Sequence, residues 1–358
     1  MIGSLIFNLT ALTFSFAGSK KGKKIFLAIG FIIIFIFYAI RFDYGNDLPS
    51  YREWFEIIRD NPSMSSVVNS KSGFEIGYLV LNIIFSKIGF NFMLSFLAAT
   101  LLFGYYKAII KIVPRKYYFL AMLILIFNPN LLLVQSSAIR QTIGIAIFFL
   151  SIRFLFERKL IPYLLYCILA MQFHSSAVIL IPFYFLLTPK RISFIFSVIL
   201  IIIYFILIFK GKEILRESIQ SILKLSNLKY MVYANSSISE TKINSGLKAY
   251  FNIIILIMIS WFGKNSEGYS AIAIKGAIYA SIVVTFSMGF PLAGRLAMYF
   301  EPFYAMALPY SISKAENKLL GITTGFLYSI YILLTYGLFF FDPIWKDGFM
   351  YYTTLFFK

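Results

Sequence analysis

Apolar residues run through this chain in long blocks separated by short clusters of charge, and block length assigns the structure. A hydrocarbon core about 30 Å thick takes about 20 helical residues to cross. Blocks near that length lie at 2–18, 25–40, 92–110, 117–134, 139–156, 160–173, 175–187, 192–209, 247–262, 270–290, 295–313 and 319–340. They predict about twelve transmembrane helices, in an all-α polytopic membrane protein with one integral domain over residues 1–358.

The apolar run 74–85 is shorter and contains Glu75 and Asn82, so it reads as re-entrant or interfacial. Parity agrees: the next block must end inside, at the basic cluster Lys107, Lys111, Arg115 and Lys116. Residues 41–91 are therefore expected to form one large external loop. Within it Ser50 and Glu53 fit a capping box, and Tyr51, Trp54, Phe55 and Ile58 follow at helical spacing. This predicts an amphipathic helix on the outer leaflet. Residues 210–245 form a second external loop, with Ile214, Leu215, Ile219, Ile222 and Leu223 as a further surface helix. Pro129, between Asn128 and Asn130, is expected to kink its helix near the outer face and free backbone carbonyls there.

Composition narrows the class. Hydrophobic residues make up 60% of the chain and charged ones 13%, which leaves no room for a hidden soluble domain. The net charge of +18 comes from basic clusters between apolar blocks, the distribution of inward-facing turns and anionic-lipid contacts rather than of a nucleic-acid surface. Lys20, Lys21, Lys23 and Lys24 follow the first apolar block instead of preceding it, so that block reads as a retained helix with its N-terminus outside. One cysteine, Cys167, and one histidine, His174, exclude a disulfide framework and histidine-rich metal cages. No phosphate-binding glycine loop and no HExxH zinc motif occurs, so no cofactor and no metal are expected.

The costliest residues for a membrane collect on one side. The hairpin 136–176 carries Arg140 and Gln141 at one end and His174 at the other, with Glu157, Arg158 and Lys159 at its inner turn. An ionisable residue at membrane depth costs roughly 2.5–3.5 kcal/mol on insertion scales, so it marks a functional site by default. The same external compartment receives Arg41, Asp43, Asp47, Glu75 and Arg295. Arg295 follows Gly289, Pro291 and Gly294, a broken-helix setting that lines cavities, and Tyr299 and Pro302 lie about a turn away on its face. Arginines at three helix ends suit a diphosphate, which the guanidinium fork binds bidentately. Asp43, Asp47 and His174 are the candidate proton acceptors for a sugar hydroxyl. Taken singly, each arginine also fits an interfacial anchor, and each aspartate a turn or cap.

These residues resemble the EpsG family. The resemblance rests on Arg41-Phe42-Asp43-Tyr44-Gly45-Asn46-Asp47 with Tyr51, on Ala138-Ile139-Arg140-Gln141, on Phe173-His174-Ser175-Ser176-Ala177, and on Arg295 with Tyr299. Where the family often shows a glycine, threonine and aspartate run, this chain has Tyr44-Gly45-Asn46-Asp47; where it continues with proline and glycine, this chain has Glu75-Ile76-Gly77.

The resemblance implies a Wzy-type polymerase of the bacterial inner membrane, multi-pass, with a GT-C-like fold and its active site facing the periplasm. It implies that undecaprenyl-diphosphate-linked oligosaccharide units serve as donor and acceptor in building O-antigen or another exopolysaccharide. Membrane lipids, and a chain-length regulator, are the expected partners. On this reading Arg41, Arg140, Gln141, Arg295 and Tyr299 hold substrate, Asp43, Asp47 or His174 takes the acceptor proton, and loop 210–245 acts as a lid. A lipid-linked glycan flippase, a sugar acyltransferase using His174, and a glycan ligase are the competing readings.

Overall fold

A computed structural model describes residues 1–63, 73–192, 194–209, 247–287 and 292–356. Loop 210–245, Gly289 and Pro291 lie outside the described residues. Regular structure among the described residues is helical, apart from one isolated antiparallel bridge between Arg41 and Thr354. Helices α1 (Ile2–Lys21) and α2 (Lys24–Ile40) form an antiparallel pair, followed by α3 (Leu48–Asp60), α4 (Ile76–Phe85) and α5 (Phe90–Ile112). Next come α6 (Tyr118–Phe127), α7 (Ile139–Phe156), α8 (Leu160–Met171) and α9 (Leu180–Leu186). The remainder comprises α10 (Phe194–Phe209), α11 (Leu247–Phe262), α12 (Tyr269–Ser287), α13 (Leu292–Ala297), α14 (Tyr304–Lys314), α15 (Lys318–Phe339) and α16 (Lys346–Phe349).

The chain is a membrane-embedded helical protein. Among the described residues α1, α5, α7 and α15 are each long and apolar enough to cross a bilayer. A fifth crossing follows if the bent pair 115–137 is one span. Several expected spans are shorter than a bilayer. The 12 residues of α8 reach about 18 Å, the helix ending at the polar Gln172. Apolar side chains such as Ile6 and Phe16 on α1, Ile161 and Leu165 on α8, and Ile322 and Leu334 on α15 face outward, as lipid contact requires.

Helix α7 is the centre: 78% of its residues are buried, against 28% for α1. It packs against α5 and α8, and Gly144 allows the closest approach on it. A Cβ there would sit 3.1 Å from the Tyr299 hydroxyl.

Pro129 breaks the chain at the end of α6, the kink expected of it. The two arms, 115–127 and 130–137, meet at 67°, and a π turn over Asn130–Val134 leads into α7. The short 130–137 segment that follows the break ends at Ala138, and carbonyls of its last turns take side-chain donors: Tyr38 Oη reaches Leu132 O at 2.8 Å, Thr142 Oγ1 reaches Gln135 O at 2.5 Å, and Arg41 Nη2 reaches Ser136 O at 3.0 Å.

Two features of the 41–91 segment differ from expectation. No capping box forms, because α3 starts at Leu48 and places Ser50 inside its first turn, with Pro49 near the helix start. The apolar face of α3 also meets protein rather than lipid. Tyr51 packs on Tyr78 and Phe55 on Phe90, and Ile58 clusters with Leu79. The C-terminal tail folds back over this region. Thr353 O accepts the Phe42 N–H at 3.0 Å, and the Tyr352 ring stacks on Phe37 at 4.7 Å.

Candidate functional site

The start of α7 and the start of α4 meet through opposite charges. Arg140 Nη1 lies 2.6 Å from Glu75 Oε2, and Arg140 Nε donates to the Tyr51 hydroxyl at 3.1 Å. The guanidinium also lies over the Phe74 ring, 4.5 Å from its centroid. Three elements far apart in sequence thus fix one arginine in orientation. Its Nη2 has no partner among the described residues.

Glu75 is itself held on both oxygens, since Oε1 accepts the Ser175 N–H at 3.0 Å. Gly77 makes this possible. Its N–H donates to Gln172 O at 2.8 Å, and a Cβ at that position would lie 2.6 Å from the same oxygen. A side chain at 77 would push α4 away from the turn that carries His174.

His174 sits in that turn and is only 6% exposed. Its Nδ1 accepts from the Ser176 hydroxyl at 2.6 Å and from the Ser176 N–H at 3.3 Å, so the neutral ring carries its proton on Nε2. The Tyr299 hydroxyl lies 3.2 Å from Ser176 Oγ, completing the string Tyr299, Ser176, His174. Burial, with Arg140 and Arg295 nearby, pulls the imidazole down to about 4, against an upward pull from Glu75. At neutral pH His174 is uncharged and able to accept a proton.

Gln141 joins the same wall. Its Nε2 donates to Arg295 O, tying α7 to α13. The Arg295 side chain is exposed, and its charge bears on both His174 and Tyr51. The structure therefore brings Arg140, Gln141, His174, Arg295 and Tyr299 together.

The three expected residues that follow α2 are placed differently. Arg41 is 2% exposed, with Nη1 on Tyr38 O at 2.6 Å and Nη2 on Ser136 O. Burial draws it down to about 10, so it stays cationic at neutral pH while serving the carbonyls of the break. Asp43, at φ 44°, accepts from Arg52 Nε at 2.7 Å, and Arg52 lies over the Phe42 and Phe90 rings. Asp47 is half-buried at the start of α3, its backbone N–H on Ser137 Oγ at 2.9 Å, and its charge reaches Tyr51.

The site also uses residues that the sequence reading left without a role. Glu75 counts there only as an outer-face acid, Tyr51 as a member of the amphipathic helix and of the family motif, and Ser176 as a neighbour of His174. A glutamate inside an otherwise apolar run was the available signal for Glu75. Among the described residues no group of three or more His, Cys, Asp or Glu side chains could hold a metal ion.

A model of the EpsG family matches residues 24–354, nearly the whole chain. No curated protein and no solved structure matches.

Proposed function

Because the chain belongs to the EpsG family, a family of Wzy-like polymerases, we propose that it joins undecaprenyl-diphosphate-linked oligosaccharide units into O-antigen or exopolysaccharide at the periplasmic face of the inner membrane. The observation that carries the reading is the oriented Arg140 beside the Tyr299, Ser176, His174 string.

Arg140 and Arg295 hold the donor diphosphate and stabilise the charge that develops as it leaves, a contribution of about 10²–10³ in rate for each well-placed donor. His174 takes the proton of the acceptor hydroxyl through Ser176, whose own hydroxyl proton passes to Nδ1. Glu75 couples the two steps. When the diphosphate takes over Arg140, the Glu75 charge is no longer neutralised beside His174, and the imidazole becomes more basic. Arg41 supports the site through the Pro129 break, and Asp43 through Arg52. Asp47 is the remaining external carboxylate open to a role as base. Arginines supply the positive charge, so polymerisation is expected to persist in a chelator.

The test is the glycan ladder of a deletion strain complemented with wild-type protein or with Arg140→Ala. The polymerase reading expects single repeat units on the outside from Arg140→Ala. A flippase expects none outside, and full-length ladders would end the catalytic reading.

A further inference from the structure

Phe156, at the end of α7 opposite Arg140, stacks on Tyr269 at the start of α12, with ring centroids 4.2 Å apart. The 18 residues of α7 span about 27 Å, so the turn between α11 and α12 lies at the far end of the bundle from the candidate site. Basic side chains meet at that end. Lys111 lies over the Tyr269 ring, 4.8 Å from its centroid, and Arg191 pairs with Glu267 at 2.6 Å. Between the α11–α12 turn and the α14–α15 turn is a cavity of about 300 Å³, at the lower end of the ~300–1,000 Å³ typical of small-molecule sites.

Its walls combine features that suit a lipid phosphodiester. Lys264 and Lys314 both line it, with Lys264 Nζ 4.9 Å from the Trp261 ring centroid and Lys314 Nζ 5.7 Å from that of Tyr310, so each stem is laid along an aromatic face. Asn317 caps α15, its Oδ1 accepting the Leu320 N–H at 3.0 Å, and both residues line the cavity. The positive end of a 22-residue helix dipole therefore opens onto it. Trp261 and Leu320 are also exposed, as is Leu319 beside them, which sets apolar surface next to the charge. Glu316 on the same wall accepts from headgroup hydroxyls and disfavours a doubly charged phosphomonoester.

We propose that this cavity binds the headgroup of an anionic phospholipid, with the phosphodiester between Lys264 and Lys314, glycerol hydroxyls at Glu316, and acyl chains along Trp261, Leu319 and Leu320. Free phosphate shares the anion chemistry but makes no use of the apolar edge. Lys264 follows α11 and Lys314 ends α14, so a bound lipid ties these two helices together. The site stands apart from the polymerase reading, at the opposite end of the bundle.

The experiment titrates the full chain in detergent with phosphatidylglycerol or with phosphatidylcholine and reads the lipid-bound fraction by native mass spectrometry. Wild type is expected to bind one phosphatidylglycerol at least about tenfold tighter than phosphatidylcholine. Lys264→Gln and Lys314→Gln are each expected to weaken it about fivefold, the scale of one lysine at an anionic lipid surface. Lys116→Gln changes a lysine outside the cavity, just beyond the end of α5, and is expected to bind as wild type does. Equal affinity for the two lipids, or a loss in Lys116→Gln that matches the cavity variants, would overturn the site in favour of a diffuse basic surface. Inorganic phosphate is expected to leave the lipid bound. Displacement by phosphate at the lipid's own concentration would overturn the lipid assignment.

Discussion

Arg140 Nη1 sits 2.6 Å from Glu75 Oε2 across 65 positions of sequence, and the other Glu75 oxygen holds the backbone of Ser175. One carboxylate thereby fixes both the cation and the turn of the candidate base. Both side chains are largely shielded, so removing one partner leaves the other charge poorly solvated. Arg140→Ala is expected to stop polymer formation by at least ~10²-fold, and Arg140→Lys to recover only a fraction because a point charge cannot replace the fork. Glu75→Gln keeps the shape but removes the charge. It is expected to lower the rate while protein level and ladder pattern per active molecule hold, measured as polymer formed per unit of purified protein.

Protonation of His174 links stability to pH. Its folded value of about 4 lies below the 6.5 of a free imidazole, so between these values the unfolded chain binds a proton that the folded chain does not. Its contribution is fully present above about pH 6.5 and is lost as pH falls toward 4. His174→Asn removes the titration. Detergent-solubilised wild type is expected to lose melting temperature more steeply than the variant across that window, and parallel curves would contradict the buried neutral imidazole.

Ser176 stands between Tyr299 and His174. Ser176→Ala breaks the string while leaving both end residues, and is expected to cut the polymerisation rate about 10–100-fold. Tyr299→Phe is expected to do less, since Ser176 keeps its bond to the ring. A flat pH–rate profile in Ser176→Ala, against a sloped one in wild type, would mark a proton path rather than a packing role.

Arg41 is expected to behave as scaffold. Arg41→Lys cannot reach both Tyr38 O and Ser136 O with one planar group, leaving a buried carbonyl unmet at about 1–3 kcal/mol. Thermal melting is expected to fall and membrane levels with it, while polymer per folded molecule stays near wild type. A normal melting curve with no polymer would return Arg41 to the substrate site.

Sidedness has a direct check in a Cys167→Ala background, which carries no other cysteine. Ser50→Cys on α3 is expected to react with an impermeant maleimide on intact spheroplasts. Lys159→Cys, at the turn between α7 and α8, is expected to react only after permeabilisation.

Much of this was legible one residue at a time. A charge in an apolar block is expensive wherever the chain goes, so Arg140, His174 and Arg295 stood out without a fold. Pro129 announced its break because a missing N–H and a ring clash are local facts. The partners were not legible, since Glu75 and Arg140, or Tyr299 and Ser176, meet only through helix packing.

Sequence by itself determined a helical membrane protein, the costly residues at its helix ends and the family resemblance, because hydrophobic length and desolvation are properties of each segment. Tertiary structure alone decided which arginine is buried against backbone carbonyls and which is paired with a carboxylate. Arg41 and Arg140 both sit at helix ends with similar flanks. Only the position of the broken α6 segment gives one of them carbonyls to satisfy, and only the approach of α4 gives the other a carboxylate.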